Sequence, residues 1–341
     1  MKHIVLFAAC VAAIAGSFAS EAKTAHNPTY SVTAHLALGG TGGWDYPSID
    51  REHHHLFLSR SDHVEIVDLR TGKDVGTLDA TNGVHGIAVA APLNRGYASN
   101  GRGNSVSEFD LVTLKRLRDI AITGQNPDAI LFEPGTQHVF TFNGRSNDIS
   151  VIDPVAGTQI GSIALQGNPE FAVADGKGHI FVNIESSGDL AEIDAKAMTV
   201  LQTWHLDNCE EPSGLAMDIE HARLFSVCGN QRMVVTDAND GRQVASVAIG
   251  DGPDGVAFDP ARKLAFSANG QSGNLTIVHE DDPEHFSVVQ TLATQTGART
   301  ITIDPDSHKL YLPTALFLPK AEGEKRAKMK PDSFTVLSIG S

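Results

Sequence analysis

The sequence has few aromatic residues and a deficit of basic ones. Aromatic side chains make up 6% of the 341 residues, against 41% for all hydrophobic types. Lys and Arg number 26 and Asp and Glu 41, so the net charge is -15. A surplus of acid repels phosphate backbones and anionic membranes, and single-stranded nucleic acid needs aromatic stacking beside a basic groove. Nucleic acid is therefore the least favoured partner, unless a local basic patch overrides the mean.

The short motifs of common enzymes are absent too. The chain has no Gly-x-Ser-x-Gly elbow, no His-Glu-x-x-His, no phosphate-binding loop and no Cys-x-x-Cys-His. An enzyme would have to be assembled from residues far apart in the sequence. We therefore assign no catalytic residue and expect a binding protein first.

Only one apolar run is long, and it lies at the N-terminus. Residues 4–15 follow Lys2 and precede small residues around "SFASEA". This run is shorter than the roughly 20 residues that a membrane span needs. The pattern predicts a signal peptide over residues 1–22, cleaved after Ala19 or Ala22, and export to the periplasm or the exterior.

The chain repeats one short pattern seven times. The copies, aligned on "PDGVAFD" at 253–259, are "WDYPSID" (44–50), "VHGIAVA" (84–90), "PDAILFE" (127–133), "PEFAVAD" (169–175), "PSGLAMD" (212–218) and "ARTITID" (298–304). Successive copies lie 40 to 45 residues apart, and each is followed by three further short apolar runs. Four short strands per repeat of about 40 residues are typical of a β-propeller blade.

We therefore predict an all-β fold, a seven-bladed β-propeller of four-stranded blades over residues 29–341. The last unit is one strand short, and residues 29–38 alternate as a strand should. This N-terminal strand is predicted to pair in the last blade and close the ring.

The ends of the second strands carry a resemblance to a known family. "YASN" (97–100), "FTFN" (140–143) and "FSAN" (266–269) resemble the repeat of the YVTN family of β-propellers, and the chain is similar to exported YncE-like bacterial proteins. The resemblance implies a propeller. Its members serve as binding proteins, surface proteins or accessory factors of periplasmic redox systems, and the YncE-like group also implies single-stranded DNA binding.

Two cysteines, Cys209 and Cys228, remain beyond the predicted signal peptide. Export would place them in an oxidising compartment, where two leftover thiols usually pair. Cys209 enters the first strand of the fifth unit and Cys228 ends its second strand, so the hairpin returns them to one face. We predict a disulfide rather than a metal site, since no Cys-x-x-Cys or clustered His accompanies them.

The second residue of each copy is the best candidate for a site. The innermost strand of a propeller blade lines the central channel, so these residues should form a ring at one mouth. They are Asp45, His85, Asp128, Glu170, Ser213, Asp254 and Arg299. Each acid alone could be a turn residue that accepts backbone hydrogen bonds. Together the four acids would repel each other unless Arg299, His85 or a bound cation offsets them.

Two chemistries fit this mouth. Asp128, Glu170 and Asp254 could bind a divalent cation such as calcium, because calcium takes several oxygens at once. Amide oxygens could complete that site, from Asn143, Asn183 or Asn269. Alternatively, His85 with an acid could bind a transition metal. On the same face, Arg102 and Arg145 could clamp an anionic ligand or pair with the acids, and we expect pairing.

The prediction is thus a monomeric periplasmic binding protein that recognises an unknown small ligand or protein partner at its acidic mouth. A metal-dependent, lactonase-like hydrolase is the alternative, with the mouth acids on a divalent cation, and single-stranded DNA binding is a further one. A locally basic insertion, residues 316–332, lies on the mouth face and is a candidate for contact with a partner or an anionic ligand.

Overall fold

The computed structural model describes Met1, His3 and residues 27–320 and 327–341. Apart from Met1 and His3, the predicted signal peptide lies outside the described residues. One 3₁₀ turn, Ala91–Leu93, is the only helical element of the part described. No helix there is long and apolar enough to cross a membrane.

Twenty-eight strands form seven antiparallel sheets of four strands each. Blades 1 to 3 comprise β2 (Pro47–Asp50), β3 (His55–Arg60), β4 (His63–Asp68), β5 (Lys73–Leu78); β6 (Val84–Ala90), β7 (Arg95–Asn100), β8 (Ser105–Asp110), β9 (Arg116–Ala121); and β10 (Pro127–Glu133), β11 (His138–Asn143), β12 (Asp148–Asp153), β13 (Thr158–Ala164). Blades 4 and 5 comprise β14 (Pro169–Ala174), β15 (His179–Ile184), β16 (Asp189–Asp194), β17 (Thr199–His205); and β18 (Pro212–Asp218), β19 (Arg223–Cys228), β20 (Arg232–Asp237), β21 (Gln243–Ala248). Blades 6 and 7 comprise β22 (Pro253–Asp259), β23 (Leu264–Asn269), β24 (Asn274–Asp282), β25 (His285–Ala293); and β26 (Thr302–Asp304), β27 (Lys309–Thr314), β28 (Thr335–Gly340), β1 (Ser31–Ala37).

Each blade is one sequence repeat, as predicted. The first strand of each repeat is the inner strand of its blade, and consecutive inner strands contact each other around the whole ring, β26 with β2 included. Inner strands approach closely at glycine: a Cβ on Gly214 would lie 2.8 Å from the Cα of Gly255 in the next blade. The seven-bladed propeller is thus confirmed.

Closure by the N-terminal strand is confirmed as well. Strand β1 is the outermost strand of blade 7, and its ladder with β28 runs from the Ser31–Gly340 pair to the Ala37–Thr335 pair. The predicted strand, residues 29–38, includes all of β1 and extends beyond it by two residues at the start and one at the end. The ring is therefore held shut by hydrogen bonds between the two ends of the propeller.

The hydrophobic core is divided among the seven blade interfaces. Each interface holds one cluster of buried apolar side chains. Aromatic pairs join some neighbours, such as Phe57 and Phe109 between blades 1 and 2, with ring centroids 5.3 Å apart. Because each blade packs only on its two neighbours, the ring must close before every blade is buried on both faces.

The two cysteines form the predicted disulfide. Cys209 lies in the loop that leads into blade 5, and Cys228 ends β19, the second strand of that blade. Both are buried. The cross-link fixes a loop on the face where the ring residues also lie.

Candidate ligand-binding site at the channel mouth

A repeated irregularity of the inner strands frees the ring side chains. In blade 6, Pro253 pairs with Asn269 and Gly255 with Ala268, so Asp254 is an extra residue between two ladder pairs. The same shift occurs at the ring residues of blades 2 to 5. A β-bulge of this kind re-aims a side chain away from its strand partner. The sequence repeat thus produces a ring of functional groups.

Two basic ring residues, Arg299 and His85, flank Asp45. Arg299 donates from Nε to Asp254 at 2.6 Å, and its Nη2 lies 3.7 Å from Asp45 Oδ1. On the other side, His85 Nδ1 is 2.7 Å from Asp45 Oδ2. The two basic groups that the sequence offered are therefore engaged with Asp45 and Asp254.

Asp128 and Glu170 have no comparable cationic partner. The nearest basic atom to Asp128 is His85 Nδ1, 3.6 Å from Oδ1, and that buried oxygen has no hydrogen-bond partner among the described residues. Burial raises the pKa of Asp128 to about 7, with a further increase from Asp45. Burial, followed by the charge of Asp128, also raises the pKa of Glu170 well above its usual value. Above neutral pH, the ionised Asp128 shares its nearest basic group, His85, with Asp45.

Two aromatic side chains meet in the channel below the acids. Tyr46 of blade 1 reaches across the ring to blade 4, where its hydroxyl donates to Glu170 Oε1 at 2.9 Å and its ring lies 4.8 Å from that of Phe171. The channel continues as a cavity of about 340 Å³ with mostly apolar walls. Sequence reasoning missed this aromatic pair. The sequence did contain a signal for it. Tyr46 and Phe171 are both the third residue of their repeat copies, and most other copies have a small residue there, such as Gly86.

A further acid, Glu185, belongs to the same group of charges. It accepts a hydrogen bond from Asn168 at 2.9 Å, and burial raises its pKa. Its charge in turn raises the pKa of Asp128, Glu170 and Asp254. Most other blades have glycine at the loop position of Glu185, for example Gly144. The replacement of glycine by an acid is the signal that could have identified Glu185 from the sequence.

The predicted calcium ligands are not all available. The amide oxygens of Asn143, Asn183 and Asn269 are buried, and each accepts a hydrogen bond from a Ser or Thr hydroxyl of a blade strand. These asparagines hold strands together, so the proposal that they complete a cation site is wrong. Asp254, in turn, is engaged by Arg299.

The expected pairing of Arg102 and Arg145 with the ring acids is also wrong. Both side chains are exposed, and neither comes within ion-pair distance of a ring carboxylate among the described residues. They flank the mouth as free basic groups.

The described part of the insertion lies beside the ring. Phe317 packs on Trp44, with ring centroids 6.0 Å apart, and Leu318 donates a backbone hydrogen bond to Lys328. Residues 321–326, which include Lys325 and Arg326, lie outside the described residues. The insertion therefore borders the mouth on the side of blade 7, where Arg299 also sits.

The raised pKa values predict how stability depends on pH. A carboxyl group whose pKa is raised by folding contributes stability that is complete below its unfolded pKa, about 3.9, and is lost as pH rises through its folded pKa. For Asp128 that loss extends to about pH 7. We expect Asp128→Asn to gain melting temperature relative to the wild type as pH rises from 4 to 8.

The matched control for this experiment is Asp79→Asn, an exposed acid in the loop between β5 and β6. Its melting temperature should keep a constant offset from the wild type over the same range. Parallel curves for Asp128→Asn and the wild type in thermal unfolding would contradict the burial of an uncompensated carboxylate.

Comparison with known proteins adds evidence on the fold alone. No protein-family model and no curated protein matches the sequence. Among solved structures, the chain is similar to one from Kuenenia stuttgartiensis hydrazine synthase, with 17% identity over 79% of this chain and 92% of that chain, and a TM-score of 0.71. Fold and comparison together define a seven-bladed β-propeller. The similarity to the YVTN and YncE-like group stays a prediction.

Proposed function

We propose that this propeller is an exported binding protein that recognises a small cation, or a cationic side chain of a protein partner, at its acidic mouth. The observation that carries the proposal is the buried Asp128 oxygen without a hydrogen-bond partner. A carboxylate oxygen that is buried without a hydrogen-bond partner is costly, and a cationic ligand would remove that cost.

The charges of the mouth support a cation rather than an anion. The carboxyl groups that influence each other there outnumber the two basic groups of the ring; they belong to Asp45, Asp128, Glu170, Glu185 and Asp254. Arg299 and His85 already pair with Asp45 and Asp254. A ligand between Asp128 and Glu170 would meet two carboxylates, with the Tyr46 and Phe171 rings as a floor that can hold an organic cation through cation–π attraction.

The proposal is tested by thermal unfolding with calcium, zinc and an organic diamine. A ligand that binds only the folded state adds about 2.7 kcal/mol at about 100 times its Kd, so at least one of these cations should raise the melting temperature by several degrees. Asp128→Asn and Glu170→Gln should each reduce that rise, whereas Asp79→Asn should leave it unchanged. If none of the three cations shifts the transition, or if the shift survives in both mouth variants, the proposed function is wrong.

A hydrolase remains the alternative because of one feature. Asp45, His85 and Asp128 offer three ligand atoms within 4.8 Å of one another, which a divalent metal can use. A metal held there would lower the pKa of a bound water, and that water could attack a lactone substrate. Metal-dependent lactone hydrolysis that Asp128→Asn abolishes would favour this reading, whereas cation binding without turnover favours the binding protein.

Single-stranded DNA is the less favoured ligand. Arg102 and Arg145 are exposed beside the mouth and could contact phosphates, but the ring acids lie between them and the channel axis. Affinity for an oligonucleotide that falls steeply with salt would revive this alternative. Export through residues 1–22, a monomeric state and a periplasmic location complete the proposal. The N-terminal residue and mass of the mature protein test the first two, and cell fractionation tests the third.

A further inference from the structure

A second cluster of titratable side chains lies at the seam between blades 5 and 6. It consists of Asp218, the last residue of β18; His221, in the turn that follows; and Glu280, on β24 of the next blade. His221 Nδ1 lies 2.5 Å from Asp218 Oδ2 and 3.0 Å from Glu280 Oε1. This seam cluster is at the far end of the inner strands from the mouth, and the predictions for the mouth do not involve it.

Glu280 is a buried acid whose hydrogen-bonding capacity is unused. Its exposure is 1%, and neither carboxylate oxygen has a hydrogen-bond partner among the described residues. The short distance to His221 does not supply one, because Nδ1 carries at most one hydrogen and its closer partner is Asp218. Two carboxylates and one imidazole thus converge at a position with little access to solvent.

The fold itself does not require an acid at this position. The equivalent residues of blades 1 to 5 are apolar, and they are Leu69, Leu111, Pro154, Ala195 and Ala238. The equivalence is structural, since the backbone N–H of Glu280 donates to Lys263 just as those of Leu69 and Leu111 donate to the matching hairpins of their blades. Glu280 therefore replaces a residue that packs an interface with one that carries charge.

Neighbouring Arg and Lys side chains do not neutralise the carboxylates of Asp218 and Glu280. Arg223, the nearest arginine on the adjoining hairpin, pairs with Asp237 at 2.8 Å and Glu284 at 3.0 Å. Lys263 is exposed and makes no ion pair with Glu280 within the described chain. The two carboxylates therefore share a single imidazole, and a cation bound between them would supply the missing positive charge.

We propose that the seam cluster is a zinc site, with Asp218 Oδ2, His221 Nδ1 and one Glu280 carboxylate oxygen as ligands. All three ligand atoms lie within 4.8 Å of one another. Tetrahedral zinc with bonds of about 2.0 Å separates its ligand atoms by roughly 3.3 Å, so the cluster needs to open only slightly. The imidazole favours zinc over calcium, which prefers an all-oxygen shell.

Binding would release protons and leave one coordination position open. His221 would coordinate as the neutral tautomer that carries its hydrogen on Nε2, so the Nδ1 proton, and any proton on Glu280, would pass to solvent. The His221 side chain is 23% exposed, which gives the metal a route to water. Three protein ligands with a fourth position for water are the arrangement of zinc sites that do chemistry.

Blade 1 provides a matched control for the experiment. There Asp50 and His53 form the same pair, with Nδ1 and Oδ2 2.6 Å apart, but the neighbouring blade has Leu111 where blade 6 has Glu280. The variant Glu280→Leu copies that apolar seam and should keep the fold. The control His53→Gln removes a histidine of the same type from a site without the third ligand.

The test is competition for zinc between the metal-free mature protein and a chromophoric chelator. The Asp128→Asn background removes a ligand from the mouth. We expect one zinc per chain, an affinity at least about 100-fold lower in Glu280→Leu and His221→Gln, and no change in His53→Gln. Thermal unfolding would show that Glu280→Leu is folded. Absence of zinc binding in the Asp128→Asn protein, or equal affinity after Glu280→Leu, would overturn the proposal.

Discussion

Removal of strand β1 is expected to unfold the whole propeller. The strand supplies the fourth position of blade 7, and its ladder with β28 joins the two ends of the domain. Without it, β28 becomes an open edge and the ring loses its closing contact. Because each blade is buried only by its neighbours, the loss of one closure exposes core on both sides of the seam.

The residue before the strand shows why the effect extends to blade 6. Tyr30 is 1% exposed, and its ring lies 5.1 Å from that of Phe266. Its backbone N–H donates to Gln290 at 2.9 Å, and its hydroxyl accepts from Arg262 at 2.8 Å. The N-terminal segment therefore stabilises blade 7 through β1 and blade 6 through Tyr30.

The measurement compares a chain that starts at residue 39 with one that starts at residue 27, by circular dichroism and thermal unfolding. We expect the shorter chain to lack a cooperative transition. Tyr30→Ala in the longer chain should lower the free energy of unfolding by about 3 kcal/mol, whereas Val75→Ala on an exposed outer strand should change it by less than about 0.5 kcal/mol. A cooperative transition at the wild-type temperature in the shorter chain would refute closure by β1.

Glu65→Ala is expected to be the most destabilising single change in blade 1, by about 3–5 kcal/mol. Arg60 is 1% exposed and lies over the Phe334 ring at 3.6 Å. Its Nη1 donates to Glu65 at 2.5 Å, and Glu65 is the one carboxylate paired with it among the described residues. Its Nη2 donates to the Gly39 and Thr41 carbonyl oxygens. Removal of Glu65 would leave a buried guanidinium charge without a counter-ion.

Two further variants separate this cause from loss of packing. The double variant Arg60→Met with Glu65→Leu should recover most of the stability, since apolar residues of similar volume often replace a buried ion pair without loss. Arg51→Ala breaks an ion pair whose two side chains are each 58% exposed and should cost less than about 1 kcal/mol. The explanation fails if chemical denaturation gives Glu65→Ala a cost as small as that of Arg51→Ala.

Much of the fold could be predicted because the sequence repeats. The strands β6, β10, β18 and β22 coincide with the predicted copies, and the shared bulge places one ring residue per blade. In blade 1 the inner strand begins only at Pro47. The reason is that Trp44 packs in the seam with blade 7 and Tyr46 turns into the channel.

What the sequence could not specify is which groups pair across the ring. The contact between Tyr46 and Glu170 joins opposite blades, and the choice of Arg299 for Asp254 depends on distances between neighbouring blades. A repeat alignment gives the radial position of each residue but not these distances. The contacts of Glu280 could not be predicted for a similar reason, since Asp218 and His221 belong to the adjacent blade.

The central claim, that Asp128 at the mouth has a buried carboxylate oxygen without a hydrogen-bond partner, is tested most directly by nuclear magnetic resonance. The side-chain carboxyl carbon of Asp128 would be titrated in the mature protein, with Asp128→Asn to assign its signal. We predict a pKa of about 7, and a fall toward ordinary values when a cationic ligand is added. An Asp128 that titrates near 3.9 in the free protein would contradict the claim and, with it, the basis for cation recognition.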